Sequence, residues 1–200
     1  MGRNFVEAIK NRRSIYGLSD DISLTDEQIE QIISTAIEQS PSSFNSQSTR
    51  VVLLLKDNHK ELWETTKAIL KKIVSPDQFA ATEAKIDGCF KAGYGTVLFY
   101  EDVEVVEGLQ AAFPSYSERF PVWSEHASAI NQFVVWTMLE DAGLGASLQH
   151  YNPLIDEAIA KRWNINPKWK LIAQLPFGKP TIEAGEKAYE PIEKRLIVFK

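Results

Sequence analysis

Ile29, Ile32, Ile33, Ala36 and Ile37 recur at helical spacing and predict an amphipathic helix over 25–39. Thr25 with Gln28 has the pattern of a capping box, and Leu24 with Ile29 that of a hydrophobic staple, so the helix start is also marked. The same period predicts a helix over 5–13, with Phe5, Ala8 and Ile9 on one side and Arg12 and Arg13 at the end, where cations suit the helix dipole. A third covers 57–73, with Leu62, Trp63, Thr66, Ile69, Leu70 and Ile73 on one face. Ser75-Pro76, a cap followed by a first-turn proline, opens a fourth that runs to about Phe90.

Short runs rich in valine and leucine over 50–55, and apolar residues over 96–100, predict buried strands. A short helix follows over 103–109. Residues 111–123 hold two prolines together with Phe113, Tyr116, Phe120 and Trp123 and no clean period, which predicts a loop with aromatic surface to place. From Ser124 to Asp141 the chain is apolar on nearly every side, and such a helix must be covered all round; a second subunit is a natural cover. Gly143 ends it, 144–151 reads as strand-like, Asn152-Pro153 caps a helix through Trp163, and 169–175 is a further strand. A last short strand over 196–199 either closes the sheet or reaches a partner. The order of elements predicts a single α+β domain over 1–200, without repeats or a linker.

Composition narrows the function. With 44% hydrophobic and 24% charged residues the chain is an ordinary globular sequence, long enough to bury roughly 70% of its unfolded surface. Acids outnumber bases 27 to 22, which argues against a nucleic-acid partner. No window approaches the ~20 apolar residues of a membrane span, and Gly2-Arg3-Asn4 leads into no apolar export segment, so a cytoplasmic location is expected. The lone Cys89 is expected to be a buried apolar filler. His59, His126 and His150 show no metal-ligand spacing, and no metal is expected.

Three stretches are more polar than packing requires: NRRSIY at 11–16, SPSSFNSQSTR at 40–50 and KAYEPIEKR at 187–195. Singly, each has an ordinary reading as a solvated helix end, a capped turn or an exposed strand start. Together, arginine forks and serine hydroxyls suit a phosphate, while the amides of Asn45 and Gln47 match the donor and acceptor edge of a heteroaromatic ring. They describe a site for a phosphorylated planar cofactor. Neither GxGxxG after a strand nor GxxxxGK[ST] is present to account for that phosphate affinity otherwise.

Arg12-Arg13-Ser14, then Pro41-Ser42-Ser43-Phe44-Asn45-Ser46-Gln47, then Gly143-Leu144-Gly145 with Leu148-Gln149-His150-Tyr151, resemble the flavin-dependent nitroreductase superfamily. The length and the tail, similar to EKxxEPxExR, point to its short subgroup typified by fatty-acid-repression-mutant and copper-induced nitroreductases. The resemblance implies a central, mostly antiparallel sheet surrounded by helices in an intertwined homodimer, with FMN at the subunit interface. It also implies NADH or NADPH as electron donor and a ping-pong hydride transfer to a nitroaromatic, quinone or similar small planar acceptor.

By the same resemblance, Arg12, Arg13 and Ser14 would hold the ribityl phosphate and adjacent oxygens with Arg195, while Ser42, Ser43, Asn45 and Gln47 would face the ribityl chain and ring, the latter three across the dimer, with Pro41 of the same motif also cofactor-binding. Leu148, Gln149, His150 and Tyr151 would line the ring's other side, with His150 as a proton donor or a structural histidine. Tyr16 stands where larger members carry a lysine near the flavin pyrimidine, and Gln149-His150 where they carry a glutamate-glycine pair. Phe113, Tyr116, Phe120 and Trp123 form either a lid on the acceptor or a dimer-packing surface. Two other readings stay open: a flavin-holding regulatory or sequestering protein with incidental turnover, and a cofactor-free scaffold.

Overall fold

A computed structural model describes residues 4–200; Gly2 and Arg3, on which the export-segment expectation rests, lie outside the described residues. In chain order the elements are α1 (Phe5–Asn11), β1 (Leu18–Ser19), α2 (Asp26–Gln39), β2 (Thr49–Leu55), α3 (Lys56–Leu70) and α4 (Pro76–Lys85), which runs into a π-turn over Ile86–Lys91. Then follow β3 (Gly95–Asp102), α5 (Val103–Ala112), α6 (Phe120–Asp141), β4 (Gly145–Ala146), α7 (Asp156–Trp163) and β5 (Trp169–Pro180). All ladders between these strands are antiparallel, in the order β1-β5-β3-β2, with β4 also on β5. This is the expected α+β architecture, a mostly antiparallel sheet flanked by helices.

Every residue of β3 is buried, because it is central in the sheet and covered on both faces. Strand alternation divides its side chains between two cores. Val97 and Phe99 pack with Ile29, Ile33 and Ala36 of α2 and Val135 and Leu139 of α6. Leu98 and Tyr100 pack with Leu62 and Trp63 of α3, Phe90 of the π-turn and Ile159 of α7. A bulge, at which Phe99 pairs with Ala173 but Tyr100 with Leu171, resets the alternation on β5. Ala173, Leu175 and Phe177 therefore join the first core and Leu171 the second.

The expected capping box of α2 is present, with Thr25 Oγ1 accepting from Gln28 N and Gln28 Oε1 from Thr25 N. The end of α6 turns at Gly143, whose φ of +85° is open to glycine without a Cβ penalty. There Leu144 N donates to Leu139 O at 2.9 Å and the chain enters β4.

Several expectations are corrected. Residues 196–199 form no strand; they lie exposed, Phe199 at 93%, so they do not close this sheet. The helix α6 begins at Phe120 rather than Ser124, because Pro121 falls in its first turn, where a missing N–H costs nothing. Much of the predicted aromatic loop is thereby helical. The helix α3 starts directly after β2 at Lys56 and stops at Leu70, leaving Ile73 exposed. Asn152-Pro153, a cis peptide, precedes α7 by a turn and does not cap it. Cys89 is only partly buried, against the second core.

Candidate functional site

The first polar stretch leaves α1 as Arg12 N bonds Ala8 O at 2.9 Å. Ser14 then forms a parallel bridge with Ala146, and Ile15 N donates to Ala146 O at 2.9 Å, which fixes the two arginines beside the C-terminal half of α6. The Arg12 guanidinium lies 4.4 Å from the Trp136 ring centroid, and its buried Nε has no hydrogen-bond partner. Burial, and secondly the charge of Arg13, lower its pKa, as expected for a cation without a counter-charge. Arg13 lines a cleft with Lys10, Gly143 and Gly145, and its Nη2 donates to Gly185 O at 2.9 Å. Ser14 and Tyr16 are exposed, and Lys85 Nζ lies 6.0 Å from the Tyr16 ring.

The second stretch begins where Ser40 Oγ caps α2 by donating to Ala36 O. A 3₁₀ turn over Ser43–Asn45 follows, and Gln47 N donates to Ser42 Oγ at 2.9 Å. Phe44, Asn45 and Gln47 have φ of 57°, 51° and 47°. Left-handed conformations in residues other than glycine cost on the order of 1 to 3 kcal/mol each and persist only where the surroundings enforce them. Exposed Asn45 and Gln47 and the half-buried Ser42 and Ser43 thus stand on a strained loop.

Two sets of contacts enforce it. The Phe44 ring sits among Phe113, Tyr116, Phe120 and Trp123, with centroids 5.0 to 6.1 Å away. At the loop's end, Ser48 Oγ and Thr49 Oγ1 donate to the two carboxylate oxygens of buried Glu101 at 2.6 and 2.5 Å. Burial pushes the Glu101 carboxyl up, against the hydroxyls and Arg50, which draw it down. Arg50 completes the anchor with an ion pair to Asp102 at 3.0 Å and a bond to Gln47 O. Glu101 and Asn131, which touches Thr49 Oγ1 from α6, are residues that sequence reading missed. The one available signal was two acids, Glu101 and Asp102, ending a buried strand.

The segment 144–151 runs back along β5. Gln149 exchanges backbone bonds with Gln174 at 2.7 and 2.9 Å, and its side chain turns inward to Ser147 Oγ. Tyr151 stacks edge-on against Trp63 and Phe90, and burial raises its pKa. Leu148 packs on the first core, and His150 alone of the four is classed as exposed. Arg195 lies in the exposed tail, ten residues beyond the point where Arg13 meets it.

Within one chain the Ser14–Ala146 bridge brings the 11–16 stretch to the 144–151 segment. The second polar stretch stays apart. Ser42 and Ser43 adjoin Ala127 and Ile130 of α6, whereas Arg12 covers Trp136, nine residues from Ala127 and ~14 Å along the helix. Among the described residues no cluster of His, Cys, Asp and Glu is arranged to hold a metal, and no helix is long and apolar enough to cross a membrane.

Residues 9–179 match the Nitroreductase family. The structure of nitroreductase CinD from Lactococcus lactis, solved in complex with 4-nitrophenol, is 46% identical, with a TM-score of 0.89, and the match covers 98% of this chain and 100% of that one. The nitroreductase FRM2 of Saccharomyces cerevisiae is 32% identical over 188 residues, 93% of each chain. A protein from Desulfovibrio desulfuricans, solved in complex with FMN, shares the fold at 18% identity and a TM-score of 0.69, over 100% of this chain and 99% of that one. The chain belongs to the nitroreductase family, a family of enzymes.

Proposed function

We infer that this chain is an FMN-dependent NAD(P)H oxidoreductase for nitroaromatic, quinone and similar planar acceptors, working as a homodimer. The observation that carries this reading is the half-buried Arg12 guanidinium, whose buried Nε is unpartnered, beside Arg13 and the exposed Ser14 hydroxyl. Leaving a buried donor atom unsatisfied is costly unless a ligand completes it. A phosphate has the charge and the acceptor geometry to do so. The donor set therefore fits FMN: Arg12, Arg13 and Ser14, with Arg195, for the phosphate, and Ser42, Ser43, Asn45 and Gln47 for the ribityl chain and ring edge.

Two copies of the chain are required by this reading, because the serine loop and the arginines are separated within one. The α6 surface supports it, since Val122, Ile130 and Phe133 remain exposed, as do Leu196, Ile197 and Val198 of the tail. Such apolar surface is expected to be covered by a partner.

When bound, FMN would supply the redox chemistry that couples NADH or NADPH to the acceptor in a ping-pong cycle. The chain's own residues bind and position. The arginines would hold the anionic end, and Gln149 and Tyr151 brace the segment that presents the exposed His150 as a candidate proton donor. Phe44, Phe113, Tyr116 and Trp123 offer aromatic surface on which a planar acceptor can stack and from which it excludes water. The complex of CinD with 4-nitrophenol supports that acceptor class.

An absorbance spectrum of the purified protein and an anaerobic titration with NADH and NADPH test this function. The expected result is a yellow protein whose flavin band bleaches with one of them and recovers on adding 4-nitrophenol. A yellow protein that neither nucleotide bleaches would favour a flavin-holding regulatory role. Protein that stays colourless with added FMN would exclude both.

A further inference from the structure

Beneath the serine loop lies a cavity of about 440 Å³ lined by Ser42, Ser46, Gln47, Thr49, Arg50 and Asn131. Asn131 belongs to no motif and projects from the middle of α6, only 4% exposed. Its Nδ2 donates to Ala127 O at 3.0 Å and to Thr49 Oγ1 at 3.4 Å, while its buried Oδ1 has no partner.

The amide's orientation is set by its neighbours. Both oxygens of Glu101 accept, one of them from the Thr49 hydroxyl. That hydroxyl has spent its hydrogen and presents only a lone pair to Asn131, and Ala127 O is likewise only an acceptor. Both partners therefore demand the NH₂ group, and the carbonyl oxygen is left as the free end.

Among the described residues none donates to it. Arg50 Nη1 bonds Gln47 O and Thr49 O, and its Nη2 pairs with Asp102. Ser42 Oγ accepts from Gln47 N and keeps its own hydrogen, out of reach of Asn131 Oδ1. A buried acceptor in this position calls for a ligand that donates. Phosphate oxygens only accept at neutral pH or carry too few protons to serve, so the anionic end of FMN is not the match. A polyol is, and the hydroxyls of Ser42 and Ser46 on the same wall suit one.

We propose that Asn131 is a flavin-binding residue outside the three sequence motifs, whose Oδ1, oriented by the Glu101–Thr49–Asn131 chain, accepts a hydrogen bond from a ribityl hydroxyl. This rests on the FMN reading above and assigns to α6 a selectivity for the sugar-alcohol chain of the cofactor.

The test is a fluorescence titration of flavin-stripped protein with FMN, riboflavin and lumiflavin, which keeps the ring and lacks the ribityl chain. Asn131→Ala should weaken FMN and riboflavin by about 5- to 20-fold and leave lumiflavin unchanged. Unchanged FMN affinity, or an equal loss for lumiflavin, would overturn the assignment while leaving the FMN reading intact. Wild-type protein that binds no FMN would overturn both. If Asn131→Ala does not fold, Asn131→Leu, which keeps the branched shape without the carbonyl, serves the same comparison.

Discussion

His59 makes the protein's stability dependent on mild acid. It lies on the buried face of α3, with Nδ1 2.8 Å from Thr96 Oγ1 and Nε2 3.2 Å from Lys91 O. Lys91 O can only accept, so the ring's own hydrogen sits on Nε2 and Nδ1 accepts from the Thr96 hydroxyl, whose oxygen in turn accepts from Trp63 Nε1 at 3.0 Å. Every contact suits neutral imidazole. Burial chiefly, with some help from Lys60, lowers the pKa from 6.5 to about 4, although Lys91 O, Asp20 and Phe90 O pull the other way.

The unfolded chain therefore binds this proton more readily than the folded one, and stability falls as pH drops from about 6.5 towards 4. The full separation corresponds to roughly 3 kcal/mol, of which about 2 kcal/mol is lost between pH 7 and pH 5. Carboxylates with shifts of both signs titrate lower in this range, so the assay must isolate the histidine. Urea unfolding followed by tryptophan fluorescence, at fixed protomer and flavin concentration, compares wild type with His59→Gln at both pH values. Glutamine cannot titrate, so the wild-type advantage over it should shrink by about 2 kcal/mol at pH 5. An advantage that is the same at both pH values, or larger at pH 5, would refute the buried neutral histidine.

Arg13→Ala removes a charge-assisted phosphate contact of about 1.5 to 3 kcal/mol and should weaken FMN by roughly 10- to 100-fold in a fluorescence titration. Unchanged affinity would place this arginine outside the phosphate site. Deletion of residues 183–200 removes the exposed apolar tail together with Arg195 and the Gly185 contact of Arg13. Light scattering should then show a shift from dimer to monomer with loss of bound FMN, and a flavin-loaded dimer surviving the deletion would show that the tail does neither job.

Local signals were readable wherever the partner of a residue lies nearby in sequence or is simply the core. The capping box of α2 joins Thr25 to Gln28, three residues away, and the apolar stripe behind it needs only some core to face. The run at β3 was readable because a strand covered on both faces tolerates few polar residues. Polar motifs were readable because their polar side chains exceed what a turn requires.

Two-residue strands were not. Leu18–Ser19 and Gly145–Ala146 are too short to carry a period and exist only because β5 lies alongside. Gln149 and Tyr151 read as ligands, yet the Gln149 side chain turns in to Ser147 Oγ, and the Tyr151 ring packs on the Trp63–Phe90 pair that the fold brings near.

The amino-acid sequence by itself determined the layered α+β plan, the family, and the kind of cofactor chemistry that its polar stretches can serve. Tertiary structure alone decided which of those side chains remain free, which are consumed as braces, and that Glu101 and Asn131 stand under the loop. The physical reason is distance along the chain: Ser48 meets Glu101 across 53 residues and Asn131 meets Thr49 across 82. Periodicity records whether a residue faces water or core, and it holds no record of which distant group will complete a hydrogen bond.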